Sequence, residues 1–327
     1  MNSHVSVLLE ESLAALAIRP SGIYVDGTLG RGGHSLRIAS QLTDGHLYAF
    51  DLDQQAIEES ALRLQPVMDR VTLIHANFAD AQQQLRQRGV EAIDGMLLDL
   101  GVSSPQFDDG QRGFSYRSDA RLDMRMNQEQ ELSAWTLVNE ADEARLREIL
   151  WNYGEEPYAR VLAAAIVRRR QKQPIDTTFQ LVEVIREALP ARQLSKKGHP
   201  AKQTFQALRI AVNGELDALQ QGLKQAMNLL KPQGRLAVIT FHSLEDRIVK
   251  NCFRDASSAA KVDRRLPLRP DQLTQPQFRL ITRKPILPGE RELKENNRSH
   301  SAKLRVLERM GDEHHGQDSK KEKKTEN

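Results

Sequence analysis

The sequence predicts an α/β protein: a parallel, Rossmann-like sheet covered by helices on both faces and interrupted by a helical insertion. Three observations carry that expectation. Short aliphatic runs alternate with amphipathic stretches through the first hundred residues, the pattern of a parallel sheet with buried strands. A glycine-rich segment, Asp26-Gly-Thr-Leu-Gly-Arg-Gly-Gly-His34, stands between the first run and the first amphipathic stretch. The alternation then breaks between residues 112 and 200 and resumes with a strand-like run, Arg235–Phe241.

Gly22–Val25 opens the sheet, the glycines form a turn, and 34–42 reads as a helix. Glycine tolerates positive φ and lets the backbone approach a ligand closely. A helix start behind it presents N–H groups to polar or anionic atoms, while a purely structural turn is the bland alternative. Leu47–Phe50, Val71–Ile74 and Met96–Leu98 are the next strands, separated by helices at 54–64 and 79–88. Past the break, Ala141–Tyr153, Tyr158–Gln171 and Thr178–Ala188 have helical spacing, with Pro157, Pro174 and Pro190 between them. One long helix is expected over Thr204–Leu230, then a turn at Lys231–Gly234 before the Arg235 strand. Phe278–Thr282 and Lys303–Leu307 are further strand candidates. The domain boundaries follow: 1–111 with 205–310 as the sheet domain, and 112–204 as the insertion. Residues 311–327 lack an apolar anchor and are expected to be disordered.

The 327 residues, 39% hydrophobic and 28% charged, suffice for one large α/β domain with an insertion. The single cysteine, Cys252, forms no internal disulfide, which suits a reducing cytosol. The N-terminus lacks a basic region followed by an apolar core, and no apolar run reaches the roughly 18 residues that span a bilayer. A cytoplasmic protein without membrane contact is therefore expected. Scattered histidines and one cysteine give no metal-ligand spacing, so no metal is expected. The net charge of +3 hides a polarity. Residues 1–159 carry a balance of −12, residues 160–209 one of +8 and residues 247–310 one of +9. Two basic segments behind an acidic front favour a polyanion-facing surface beside a catalytic half; solvated helix faces are the plainer alternative.

Ligands of open α/β sheets bind at the carboxyl ends of the strands, and here those ends carry polar residues. Asp26 follows the first strand, Asp51 closes the second, Asn77-Phe78 follows the third and Asp99 ends the fourth. An acid about 20 residues beyond the glycines accepts hydrogen bonds from ribose hydroxyls, a role for which Asp53 is the near neighbour of Asp51. An aromatic face and an amide at 77–78 suit adenine. Any single acid in such a place also serves as a helix cap or turn residue. The glycine spacing excludes the dinucleotide fingerprint G-x-G-x-x-G, because Ser35 stands where the third glycine belongs. An acid followed by glycines instead resembles the first motif of class I S-adenosylmethionine methyltransferases, with Thr28 where their pattern has glycine.

Longer motifs sharpen this. Asp26–His34, Leu97–Gln106, Arg112–Ser115, Leu122–Met126, Phe205–Ile210, Phe241–Val249 and Ser299–Val306 together resemble the family of ribosomal RNA small subunit methyltransferase H, also called MraW, from about His4 to Leu307. The resemblance implies a class I methyltransferase fold and S-adenosylmethionine-dependent methylation of the exocyclic N4 of a cytidine in the decoding region of 16S rRNA. The small ribosomal subunit itself is the alternative form of that partner. Family cofactor contacts carry over onto Gly32, Gly33, His34, Asp51, Phe78, Asp99 and Gln106.

The chemistry needs alignment more than activation, since a sulfonium methyl is already electrophilic. Cytosine N4 is a weak nucleophile and benefits from acceptors beside its N–H bonds. Many amino-methyltransferases place an Asp/Asn-Pro-Pro-aromatic motif after the fourth strand; here it reads Asp99-Leu-Gly-Val-Ser-Ser-Pro105. Either Asp99 or the backbone around Ser103, Ser104 and Pro105 is the expected acceptor, with a pure cofactor contact as the alternative for Asp99. RNA contacts are expected from Arg112, Phe114 and Tyr116, from Arg168, Arg169, Lys196 and Lys197 on the insertion, and from His242 after the resumed strand. Arg264-Arg265 and Arg298–Lys303 add basic charge. The helical insertion also offers a surface for a homodimer. The rival readings are an NAD-dependent oxidoreductase and a non-catalytic RNA-binding protein.

Overall fold

Seven strands pair into one sheet in the order β3-β2-β1-β4-β5-β7-β6, in a computed structural model that describes residues 6–101, 110–196, 198–259 and 275–311. They are β1 (Ile23–Asp26), β2 (His46–Asp51), β3 (Val71–His75), β4 (Ile93–Asp99), β5 (Leu230–Thr240), β6 (Phe278–Leu280) and β7 (Lys303–Arg309). The first five run parallel. β7 runs antiparallel between β5 and β6. The chain forms two compact units. The first comprises Met1–Asp51, Ile57–Gly101 and Leu219–Asn327; the second comprises Leu52–Ala56 and Val102–Ala218.

The first unit holds the whole sheet. Side chains alternate between its faces with the strand period of two: Leu97, Ala237 and Ile239 pack with Leu8, Ile38 and Leu304, whereas Met96, Leu98, Leu236 and Val238 pack with Phe50, Leu85, Leu223 and Phe253. Six consecutive buried positions in β4 explain its apolar run Met96–Leu98. β1 pairs with β2 on one side and β4 on the other. The winding direction reverses there, so the crevice beyond the carboxyl ends of β1 and β4 is the switch point where such sheets bind ligands.

The second unit is helical and has its own core. Helices Ala134–Glu140, Glu143–Gly154, Ala159–Arg170, Thr178–Ala188 and Lys202–Asn213 enclose Leu146, Ile149, Leu162, Ile166, Leu181, Ile185, Phe205 and Leu208. Capping boxes at Ser133 and Thr177 and the Asp142 carboxylate start three of them. The units part at Ala218, whereas the sequence reading placed the change at 204.

Two elements differ from expectation. The long helix over 204–230 is two helices, Lys202–Asn213 and Glu215–Leu229, because Gly214 takes a left-handed φ of 59° and ends the first. Arg209 bridges that break with a 2.7 Å ion pair to Glu215. The expected turn at Lys231–Gly234 lies inside β5, where Gln233 has a φ of 63° and the β4 pairing shifts register between Ile93 and Gly95. The sequence reading also omitted helices at Leu9–Leu16 and Glu290–Glu295. Residues 312–327 and Arg264-Arg265 lie outside the described residues.

Candidate cofactor site

Asp26, fully buried at the end of β1, organises the glycine turn. One carboxylate oxygen accepts the Thr28 N–H at 3.1 Å and the other accepts the Ser35 hydroxyl at 2.7 Å. Burial raises its pKa. Thr28, the departure from the usual glycine pattern, has a positive reason. Its hydroxyl accepts the backbone N–H of Asp99 at 2.6 Å, tying the turn after β1 to the end of β4. Gly32 sits at φ 69° and precedes the Gly33–Ala39 helix, a conformation a side chain resists. Gly33 abuts the Ser6 hydroxyl, so its small size serves packing. The Gly30 N–H donates to Asp51 Oδ2 at 2.8 Å.

His34 and Asp99 form the chemically distinctive pair. The imidazole is buried, and its Nε2 lies 3.1 Å from the Val7 carbonyl. A carbonyl only accepts, so Nε2 carries the hydrogen and Nδ1 presents a lone pair. Burial lowers the His34 pKa to about 4, which leaves the ring neutral at pH 7. Nδ1 faces Asp99 Oδ2 at 3.6 Å, beyond hydrogen-bond distance. Asp99 Oδ1 is buried and has no hydrogen-bond partner among the described residues. Burial first, then the charges of Asp26, Glu245 and Glu292, push the Asp99 carboxyl well above its usual range. An orphaned, basic carboxylate at a switch point is a group that awaits a donor.

Asp51 closes β2 in register with His75 of β3. Phe78, just past β3, lies against Gly222 of the Glu215–Leu229 helix: a Cβ at 222 would stand 2.5 Å from its ring. Asn77 spends its side-chain oxygen on the Ala79 N–H at 2.9 Å. Asp51, Phe78 and the unpartnered Asp99 oxygen therefore suit an adenosyl cofactor: an acceptor for hydroxyls, an apolar ring for a base, and a third group that requires a donor. His242 caps the Ser243–Ala256 helix, accepting the Glu245 N–H, while Glu245 accepts the N–H groups of Phe241 and His242. This histidine, expected from the sequence to face RNA, holds a helix start.

The second unit separates the remaining candidates. Arg112 and Phe114 were expected to face RNA, but both are buried. Arg112 forms a 3.0 Å ion pair with Asp53, each side chain 7% exposed, and donates to the Arg125 carbonyl. Phe114 belongs to the helical core. The burial of Arg112 was not read from the sequence because an arginine beside aromatics fits a basic surface or a buried clamp equally, whereas a core place for Phe114 was an open alternative. The same pair engages Asp53, whereas Asp51 accepts the Gly30 N–H. Tyr116 is half-buried and stacks on His199, rings 4.3 Å apart at 9°, with Phe205 at its edge. Arg168 and Lys196 are exposed and Arg169 half-exposed. Lys303 pairs with Asp246 at 3.1 Å. Ser103, Ser104, Pro105, Gln106 and Lys197 lie outside the described residues.

The sheet order, with β7 antiparallel between β5 and β6 and a glycine turn after β1, is that of a class I S-adenosylmethionine-dependent methyltransferase. The sequence profile of the MraW methylase family matches residues 1–310, and the chain belongs to that family. Two curated relatives, from Limosilactobacillus fermentum and Exiguobacterium sibiricum, are named ribosomal RNA small subunit methyltransferase H. The first is 56% identical over 94% of this chain and 98% of its own length, the second 52% over 95% and 99%. A crystal structure of a Streptococcus mutans protein assigned as a methyltransferase, in complex with SAH, aligns with 94% of this chain and 100% of that chain at 14% identity, with a TM-score of 0.43. Among the described residues no helix is long and apolar enough to cross a membrane.

Proposed function

We propose that this chain transfers a methyl group from S-adenosylmethionine to N4 of a cytidine in the 16S RNA of the small ribosomal subunit. The shared name of its relatives supports the RNA, and the family resemblance supports the base and the decoding region. The structural observation that carries the reading is Asp99, whose buried oxygen has no partner and whose basicity is raised.

When bound, S-adenosylmethionine supplies an activated methyl group. Asp51 accepts from its ribose hydroxyls, Phe78 lies along its adenine, and the turn containing Gly32, Gly33 and His34 shapes the space beside them, with Gln106 as a further family contact. Asp99 accepts a hydrogen bond from the cytosine amine and takes its proton as the N–C bond forms, a role that the raised basicity of its carboxylate favours. Ser103, Ser104 and Pro105 supply further acceptors beside the amine. No covalent enzyme intermediate is required. Tyr116 meets bases, while Arg168, Arg169, Lys196 and Lys197 hold phosphates.

Asp99→Ala tests the assignment. Methylation should vanish while S-adenosylhomocysteine still binds; retained turnover with normal binding would remove Asp99 from the chemistry. Preference for NADH over S-adenosylhomocysteine would favour the oxidoreductase reading.

A further inference from the structure

A second site lies at the opposite edge of the sheet. A cavity of about 400 Å³ is lined by Ala17, Arg19, Gln233, Arg235, Arg279 and Glu308, among others. Its arginines precede β1 or stand on β5 and β6, while the methyl-transfer residues follow the carboxyl ends of β1, β2 and β4. At about 3.3 Å per residue, the strand from Arg235 to Thr240 alone puts roughly 16 Å between the two edges. Nothing in the proposed chemistry uses this cavity.

The cross-strand register explains its charge. Arg235 of β5 and Arg279 of β6 both stand opposite Glu308 of β7. Glu308 Oε2 accepts from Arg235 Nε at 2.8 Å, and Oε1 meets Arg279 Nη2 at 2.6 Å. The carboxylate is 5% exposed, so it aligns two guanidinium groups without neutralising both. Arg19 lies 3.6 Å from Asp94, which Lys231 already engages at 2.7 Å. Four cations thus face two carboxylates. Among the described residues, Arg235 Nη2 and Arg279 Nη1 donate no hydrogen bond, and Arg279 is 55% exposed.

Paired guanidinium forks held rigid by a buried carboxylate present planar N–H donors suited to a phosphate group. We infer that the Arg19, Arg235 and Arg279 cavity is a phosphate-binding site, remote from methyl transfer. The phosphate belongs either to the RNA backbone, which would give the basic 247–310 segment a use and rests on the proposed substrate, or to a free phosphorylated ligand. Glu308 is a positioning residue in this scheme.

The test uses the full-length chain and the Arg19→Ala/Arg279→Ala variant, which leaves Glu308 paired with Arg235. Inorganic phosphate is titrated into each at constant ionic strength, with chloride as control, and the salt dependence of 16S rRNA binding is measured. S-adenosylhomocysteine binding, expected to be unchanged, reports that the variant is folded. Phosphate should bind the wild-type chain and bind the variant at least tenfold more weakly. A salt slope reduced by about 0.7–0.9 in the variant assigns the phosphate to RNA; an unchanged slope with lost phosphate binding assigns it to a free ligand. Equal behaviour of phosphate and chloride in the wild-type chain, with RNA binding untouched by the substitutions, overturns the site. Absence of RNA methylation would strike the proposed function and leave the phosphate titration intact.

Discussion

An aspartate with an orphaned buried oxygen, set near the charges of Asp26, Glu245 and Glu292, destabilises the folded chain whenever it is ionised. The folded chain therefore holds this proton more tightly than the unfolded one. The stability contributed by neutral Asp99 is full below the unfolded value of 3.8 and is lost as pH rises through the raised folded value. Asp99→Asn should stabilise the cofactor-free protein at pH 8 by about 1–2 kcal/mol and abolish methyl transfer; thermal melts and turnover measured side by side check both halves. His34 has the opposite dependence on pH. Its folded pKa of about 4 lies below the ordinary 6.5, so the unfolded chain takes up the proton first. Its contribution is full above pH 6.5 and is lost as pH falls toward 4. His34→Gln, which keeps a donor for the Val7 carbonyl, should remove roughly 2 kcal/mol of the acid sensitivity at pH 5. Urea unfolding at pH 5 and pH 7.5 measures it, and an unchanged difference between the two would exclude His34 as its source.

Between the Glu215–Leu229 helix and the segment after β3, Gly222 gives the Phe78 ring its place. Alanine inside a helix is ordinarily favourable by about 1 kcal/mol. Gly222→Ala is instead predicted to displace the ring and weaken S-adenosylhomocysteine binding about tenfold, or 1.4 kcal/mol, by calorimetric titration. Unchanged affinity would remove Phe78 from the cofactor. Legibility followed the same division between local and distant causes. Parallel strands buried on both faces leave apolar runs, and helices leave a 3.6-residue period, so β1 to β4 and the Thr178–Ala188 helix could be read directly. The direction of β7 could not, because pairing partners distant in sequence determine it. The break at Gly214 was available as a glycine within a helical pattern, but the Thr204–Leu230 periodicity outweighed it. Asp26, Asp51 and Asp99 were legible as the ends of β1, β2 and β4, because each follows an apolar run. The Thr28 tie to Asp99 and the burial of Arg112 and Phe114 depend on segments distant in the chain. Only Thr28's departure from the glycine pattern signalled the first.

A sheet unit and a helical unit each have their own hydrophobic core. Within the helical unit, Arg112→Ala removes the guanidinium from buried Asp53 and should cost about 3 kcal/mol. Scanning calorimetry should show the loss as a transition moved to lower temperature. The basic segments predict that RNA affinity falls linearly with the logarithm of salt concentration; affinity indifferent to salt would take the phosphate contacts away from Arg168 and Lys196. The central claim is tested most directly by incubating the purified chain with S-adenosylmethionine and small subunits from cells lacking it, then digesting the 16S rRNA for nucleoside mass analysis. The account predicts N4-methylcytidine at a single decoding-region cytidine with the wild-type chain and none with Asp99→Ala. A methyl group on another base or another atom of cytidine, or an equal yield from the variant, would contradict it.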